Sequence, residues 1–444
     1  MKIELKNICK ISHCEITLDG ITVIAGENGT GKSTVGKALY SVFNSFSNVN
    51  EQIKKTKQNS LISIFRRYDE DDIFIISPYI YDDIVDELMD NSKTYINDRT
   101  LLREKLVNFV MNSEDFVISK DEEHIDEMTN AILSVLKITD TMIVNKILQN
   151  RIDAEFNRQV SNLYNNSDNN IIITVKDNIV NVNINSNEVI SHSGLMDLYS
   201  NAIYIDDPYI LYPQRNFSVG RTYYDHQNEM RKKLFFNNNQ NNVIDDILTN
   251  EKLNNIYSKI ENICKGDLSF TFTRAYYVLP NSKKLGIQNI ATGLTTFVII
   301  KSLLQKGIIK EKGLIILDEP ETHLHPKWQL LFAEIIVLLQ KEFDLTILLN
   351  THSPYFLEAI EVYSEKYGIK DKCKYYLSED NEANNSFVIN DVTDNTELIY
   401  KKLASPFQTL EDERYSSDDW YRITYRYIKE FVIRQWFWYK TIYD

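Results

Sequence analysis

Residues 21–34 read Ile21-Thr22-Val23-Ile24-Ala25-Gly26-Glu27-Asn28-Gly29-Thr30-Gly31-Lys32-Ser33-Thr34. A largely apolar run of strand length enters a glycine-rich turn, and Val35, Ala38, Leu39 and Val42 then recur at helical spacing. Strand, loop and helix in that order are the setting in which Gly-x-x-x-x-Gly-Lys-Ser forms a phosphate-binding P-loop. The glycines let successive N–H groups turn inward toward an anion, and the helix adds its positive end. Lys32 is then expected to reach the β and γ phosphates, and Ser33 to offer its hydroxyl to Mg²⁺. With only 13 glycines in 444 residues, four of the six positions 26–31 being Gly or Asn is a backbone requirement rather than background.

Two further stretches complete the pattern. Leu314-Ile315-Ile316-Leu317-Asp318-Glu319 is an apolar strand that delivers two carboxylates to its C-terminal end, where open parallel sheets bind ligands. Asp318 is expected to hold Mg²⁺ and Glu319 to orient or deprotonate the attacking water. Leu345 to Leu349 forms a third buried strand, followed by Asn350-Thr351-His352-Ser353-Pro354, which brings His352 to the same edge within reach of a γ-phosphate.

Around these motifs, Ile3, Leu5, Ile8, Ile16 and Leu18 alternate as strands, and Phe74 to Ile76 reads as another. Residues 122–164 carry helical periodicity through Met128, Ile132, Leu133, Val135 and Leu136. A polar break at 165–170 precedes a hairpin, Ile171 to Val175 and Ile179 to Ile184, turning at Lys176-Asp177-Asn178. The asparagine run at 237–242 reads as a loop, and the chain has no internal repeat and no long heptad series. Alternating strands and helices beyond residue 285 predict an α/β fold whose mostly parallel sheet is flanked by helices and interrupted by a largely helical insertion with a small β-hairpin.

The chain has 49 Lys plus Arg against 63 Asp plus Glu, a formal charge of −14. That field repels nucleic acid and anionic membrane, so any phosphate must be held by a local site. The four cysteines are scattered without a Cys-x-x-Cys pair, and the N-terminus lacks a secretion core, so a cytoplasmic protein with reduced thiols is expected. No apolar run approaches a membrane span.

Taken together, GENGTGKST, LDEPETHLHP and THSPYFL resemble the ABC-type ATPases of the RecF, OLD and SMC-like group, rather than transporter subunits or AAA+ rings. The DEPExHLHP form is similar to the OLD-like branch, which includes the PtuA-like ATPases of Septu and retron anti-phage systems. The resemblance implies ATP and Mg²⁺ as ligands. It implies Gly26, Asn28, Gly29, Thr30, Gly31, Lys32, Ser33 and Thr34 as the phosphate loop, Lys32, Glu319 and His352 as catalytic residues, and Ser33, Asp318 and Gln214 around the metal. Such heads bind ATP between two copies, with a signature loop from one completing the site of the other. Here that position is Ile290-Ala291-Thr292-Gly293-Leu294-Thr295, with Ala291 and Leu294 departing from the family pattern; Thr292 and Gly293 remain as donors across the interface, and slow hydrolysis is expected.

The expected division is residues 1–75 as the first half of the head, 76–200 as a mainly helical insertion, 201–265 as a return segment and helical arm, 266–405 as the second half, and 406–444 as an aromatic-rich tail. The expected partners are a second copy, in a homodimer or higher even-numbered homo-oligomer, and a separate effector protein, nuclease or toxin. A nucleic acid is a candidate trigger; no membrane is expected. His323 and His325 lack a third ligand nearby and read as loop-shaping residues, with Pro326 at the start of a helix. No nuclease is expected in this chain, since neither a Toprim nor an HNH pattern is present. The competing expectation is a DNA-repair or chromosome-maintenance ATPase that clamps duplex DNA.

Overall fold

The computed structural model describes residues 1–67, 81–112, 122–162, 168–206, 208–212, 225–236, 254–271, 274–381 and 385–415. The expected strand at Phe74 to Ile76, Gln214, the asparagine run at 237–242 and the aromatic tail from Trp420 lie outside the described residues.

The first strands form where the alternation places them: β1 (Lys2–Ile8), β2 (Ile11–Thr17) and β3 (Ile21–Ala25). They join β4 (Asn169–Val175), β5 (Asn178–Asn185), β6 (Glu188–Ser193) and β7 (Ile203–Ile205). A separate small sheet holds β8 (Asp267–Phe270), β9 (Ala275–Val278) and β10 (Lys284–Gly286). β11 (Leu314–Asp318), β12 (Thr346–Thr351), β13 (Cys373–Asn381) and β14 (Ser386–Asp391) complete the main sheet. Its eleven strands run in the order β6-β5-β4-β1-β2-β14-β13-β3-β12-β11-β7.

The parallel part of the sheet is the block β13-β3-β12-β11-β7. The remaining strands make it mixed, because β1, β2, β4, β5 and β6 are joined by short antiparallel links. The expected hairpin at 171–184 is β4 and β5, with β6 as a third strand that the sequence reading missed. Through β4 it pairs with β1 and extends the main sheet. Ile171, Ile173, Val180 and Val182 share one core with Ile3 and Leu5, which is why this ribbon lies on the sheet and not apart from it.

In the parallel block, alternate residues enter opposite cores. Val23, Ile315, Leu317, Ile347 and Leu349 face one, while Ile24, Leu314, Ile316 and Leu348 face the other. Burial on both faces explains the unbroken apolar runs. The first core is covered by the helices Thr292–Gln305, Pro326–Phe343 and Pro354–Lys366, and the second by the helices Lys32–Phe46 and Asp140–Phe156. A third core is wholly helical. It gathers Leu61, Phe65, Leu88, Leu102, Met128 and Ile132 from the helices between Val49 and Leu136.

Candidate active site

Register brings the three sequence motifs together. β12 pairs in parallel with both β3 and β11, setting Thr351 beside Ala25 and Asn350 beside Asp318. Three strands therefore end at one edge, with Gly26 directly after β3, Asp318 the last residue of β11 and His352 directly after β12.

Gly31 caps the first helix with φ at 92°, a left-handed conformation that disfavours any other residue, and an added Cβ would stand 2.9 Å from Ile11. The loop is tied down by Ser378, whose hydroxyl donates to the Thr30 carbonyl at 2.8 Å, and by the Thr30 hydroxyl on the Glu27 carbonyl at 2.9 Å. Lys32 is almost wholly buried. Its Nζ donates to the carbonyls of Gly26 (3.0 Å) and Glu27 (2.8 Å) and stands 3.6 Å from Glu319 Oε1.

Asp318 ends β11 with both carboxylate oxygens accounted for. Oδ2 accepts from the Tyr204 hydroxyl at 3.0 Å and Oδ1 from Asn350 Nδ2 at 2.9 Å. Glu319 turns out of the strand at φ 47°, with its N–H donating to the Asn350 carbonyl at 3.0 Å. Its carboxylate lies 3.4 Å from His352 Nδ1. That contact, with the Lys32 charge adding to it against partial burial, holds the Glu319 pKa below its ordinary value; reciprocally, His352 is raised, chiefly by Glu319. Glu321 is buried, and its Oε1 accepts from the Thr351 hydroxyl and, at 3.1 Å, from the His352 N–H. Burial raises the Glu321 pKa.

Of these groups Lys32, Asp318 and Glu319 line a cleft of about 760 Å³, together with Asn28, Gly29, Gly31, Ser33, Thr34 and Asp206 and with Cys9 and Lys10 from the β1–β2 turn; His352 touches Glu319 but is not itself a lining residue. Ser33 and Asp318 both line the cleft, and a hydroxyl and a carboxylate are hard oxygen donors of the kind that suits Mg²⁺. Thr292 and Gly293 are not among the lining residues; Thr296 and Ile299 of the same helix are. Ala291 is the N-cap of that helix, and Gly293 packs so closely that a Cβ there would meet the His323 carbonyl at 2.6 Å. His325 caps the helix Pro326–Phe343, its Nδ1 accepting from the Lys327 N–H at 3.3 Å, and His323 lies edge-on to Tyr209.

Sequence reasoning missed Tyr204 and Asn350 as holders of Asp318. It also missed His226, buried between Glu155 (Nδ1 to Oε2, 2.7 Å) and Asp206 (Nε2 to Oδ2, 2.9 Å). Burial drives the His226 pKa down, but the hydrogen bonds to Asp206 and Glu155 prevail and push it up to about 9. A folded pKa above the unfolded value means the stabilisation is fully present below about pH 6.5 and fades as pH rises through 9. Urea unfolding is expected to show a loss approaching about 3 kcal/mol between pH 6.5 and 9.5. That loss should be absent when Glu155→Gln and His226→Gln are combined; the same pH slope in that variant would remove His226 as its source.

Comparison with known proteins places the chain. Residues 1–357 match the AAA ATPase domain family. The chain belongs to that family. Over 144 residues it is 25% identical to a retron Vc95 probable ATPase of Vibrio cholerae serotype O1 biovar El Tor, an alignment covering 30% of this chain. The chain spans about a quarter, 27%, of that relative's length. Among solved structures it is similar to an SMC head domain from Thermotoga maritima, with a TM-score of 0.37 and 12% identity, covering 88% of this chain and 98% of that one. An SmcHead bound to the C-winged helix domain of ScpA gives 0.39 and 9%, covering 88% and 97%. Among the described residues, no helix is long and apolar enough to cross a membrane.

Proposed function

We propose that this AAA ATPase family member binds Mg-ATP in the cleft, hydrolyses it slowly, and uses the nucleotide to join two copies that control a separate effector in anti-phage defence. The observation that carries the reading is the convergence of Lys32, Asp318, Glu319 and His352 at one sheet edge beside a glycine-shaped anion loop. Lys32 and the loop N–H groups would hold the phosphates. Ser33 and Asp318 would hold Mg²⁺, which neutralises phosphate charge when bound. Glu319 would take the proton of the attacking water, with His352 beside it. Phosphate oxygens would compete with Glu319 for the Lys32 ammonium, freeing the carboxylate and restoring its basicity.

A role for Thr292, half-buried at the start of the helix Thr292–Gln305, and Gly293, buried beside it, across a dimer interface belongs to the same reading, since neither lines the cleft of its own chain. Residues 1–75 and 266–405 would then form two halves of one head. The defence role follows the retron relative, and the charge of −14 favours control of a protein effector over a clamp on duplex DNA. The purified chain is expected to release phosphate from ATP and to double its solution mass on adding Mg-ATP, read by light scattering. A chain that neither hydrolyses ATP nor changes mass would overturn the proposal.

A further inference from the structure

The hydroxyl that holds Asp318 leads away from the cleft into a buried charged cluster that the nucleotide chemistry does not use. The Tyr204 ring stacks on His226, with centroids 4.3 Å apart and planes 19° from parallel. Tyr40, from the P-loop helix, closes on both rings edge-on, at 6.0 and 5.8 Å. His226 is the second residue of the helix Asp225–Phe236. Its N–H donates to Glu155 Oε1 at 2.8 Å and its ring joins Glu155 Oε2, so the helices Asp140–Phe156 and Asp225–Phe236 are locked together there. Arg151 reinforces the lock through Asp225 and Glu229. The far ring nitrogen meets Asp206, a cleft residue that also accepts from Gln227 Nε2 at 3.0 Å.

Glu155 and His226 are fully buried. Charges so placed are costly to desolvate, and a well-packed apolar set of the same volume would serve stability as well. What the charged set provides is direction. It fixes the plane of the Tyr204 ring, hence the point from which its hydroxyl reaches Asp318 Oδ2, and it holds Asp206, which lines the same cleft.

We propose that His226 and Tyr204 are positioning residues for the metal-holding wall of the cleft: His226, clamped by Glu155, orients Tyr204 on Asp318 and anchors Asp206, so that two helices outside the nucleotide motifs set the affinity for the divalent cation. The proposal rests on the reading of Asp318 as a Mg²⁺ holder. Partners of metal ligands are worth about 10- to 100-fold in metal affinity. Displacing the helix Asp225–Phe236 would withdraw support from Asp318 and Asp206 together.

The test uses the full chain and a fluorescent ATP analogue, titrated with Mg²⁺ and, separately, bound in EDTA. Mn²⁺ binding by electron paramagnetic resonance provides a second readout. Tyr204→Phe removes one oxygen and keeps the stacked ring. It is expected to raise the Mg²⁺ concentration at half-saturation about 10-fold, with affinity in EDTA within about two-fold of the parent. The combined Glu155→Gln and His226→Gln variant is expected to shift it in the same direction. Asp318→Asn should abolish the Mg²⁺ response; if it does not, the metal assignment itself fails. If Asp318→Asn abolishes the response while Tyr204→Phe and the combined variant keep the parental half-saturation, the positioning role is overturned. Should thermal melts show the combined variant unfolded, Tyr204→Phe alone decides.

Discussion

Glu319→Gln is expected to lower ATP turnover by about 10²- to 10⁴-fold, the usual contribution of a positioned general base, while leaving ATP affinity within a few-fold. The substitution is well isolated. Glu319 already sits at φ 47°, and its backbone bond to Asn350 does not involve the side chain, so glutamine meets the same backbone demand. A glutamine oxygen can still accept from His352 and Lys32, so the pairing around the edge is weakened but not removed. What disappears is the ability to take a proton. If hydrolysis opens the pair of copies, the variant should accumulate as an ATP-bound dimer. Single-turnover phosphate release and solution mass check the two halves of this expectation, and parental turnover would exclude Glu319 as the base.

How much of this site was legible beforehand depended on where the chemistry sits along the chain. Lys32, Asp318, Glu319 and His352 each follow a continuous apolar run, and such runs are what strands buried on both faces look like. Parallel pairing then carries their C-terminal residues to one edge without further information. Tyr204 and Glu155 were illegible because their partners lie far away along the chain. Tyr204 and Asp318 are 114 residues apart, and Glu155 and His226 are 71 apart. Glu155 also occupies a helix, where a carboxylate ordinarily marks the solvent face, yet here it is enclosed. Its partner is supplied by a different helix, so nothing within either segment announces the pair. β6 and β14 escaped because they are short and polar-rich without a clean alternation, and β13, nine residues long and parallel to β3, because its apolar run Tyr375 to Leu377 is brief and runs into Ser378-Glu379-Asp380-Asn381. Their burial comes from neighbours in the sheet.

Lys32→Ala is expected to weaken ATP binding by about 10²-fold or more, since charge-assisted hydrogen bonds are worth about 1.5–3 kcal/mol each and a phosphate chain offers more than one acceptor. In the structure the Lys32 ammonium is buried and satisfied by the Gly26 and Glu27 carbonyls with Glu319 alongside. Its stem is thus held against the loop. Lys32→Arg is not expected to rescue binding. A planar guanidinium demands a wider fork than two carbonyls one residue apart present, and the loop curls tightly around the lysine. Loss of binding must be separated from loss of fold. Removing the Lys32 ammonium leaves the Gly26 and Glu27 carbonyls without its hydrogen bonds, a cost of about 1–3 kcal/mol for a buried acceptor, so the melting temperature should fall by only a few degrees. Equilibrium binding and thermal unfolding on the same samples make the distinction. ATP affinity equal to the parent in a folded Lys32→Ala chain would mean that the phosphates are held somewhere other than this edge, and the assignments of Asp318, Glu319 and His352 would fall with it.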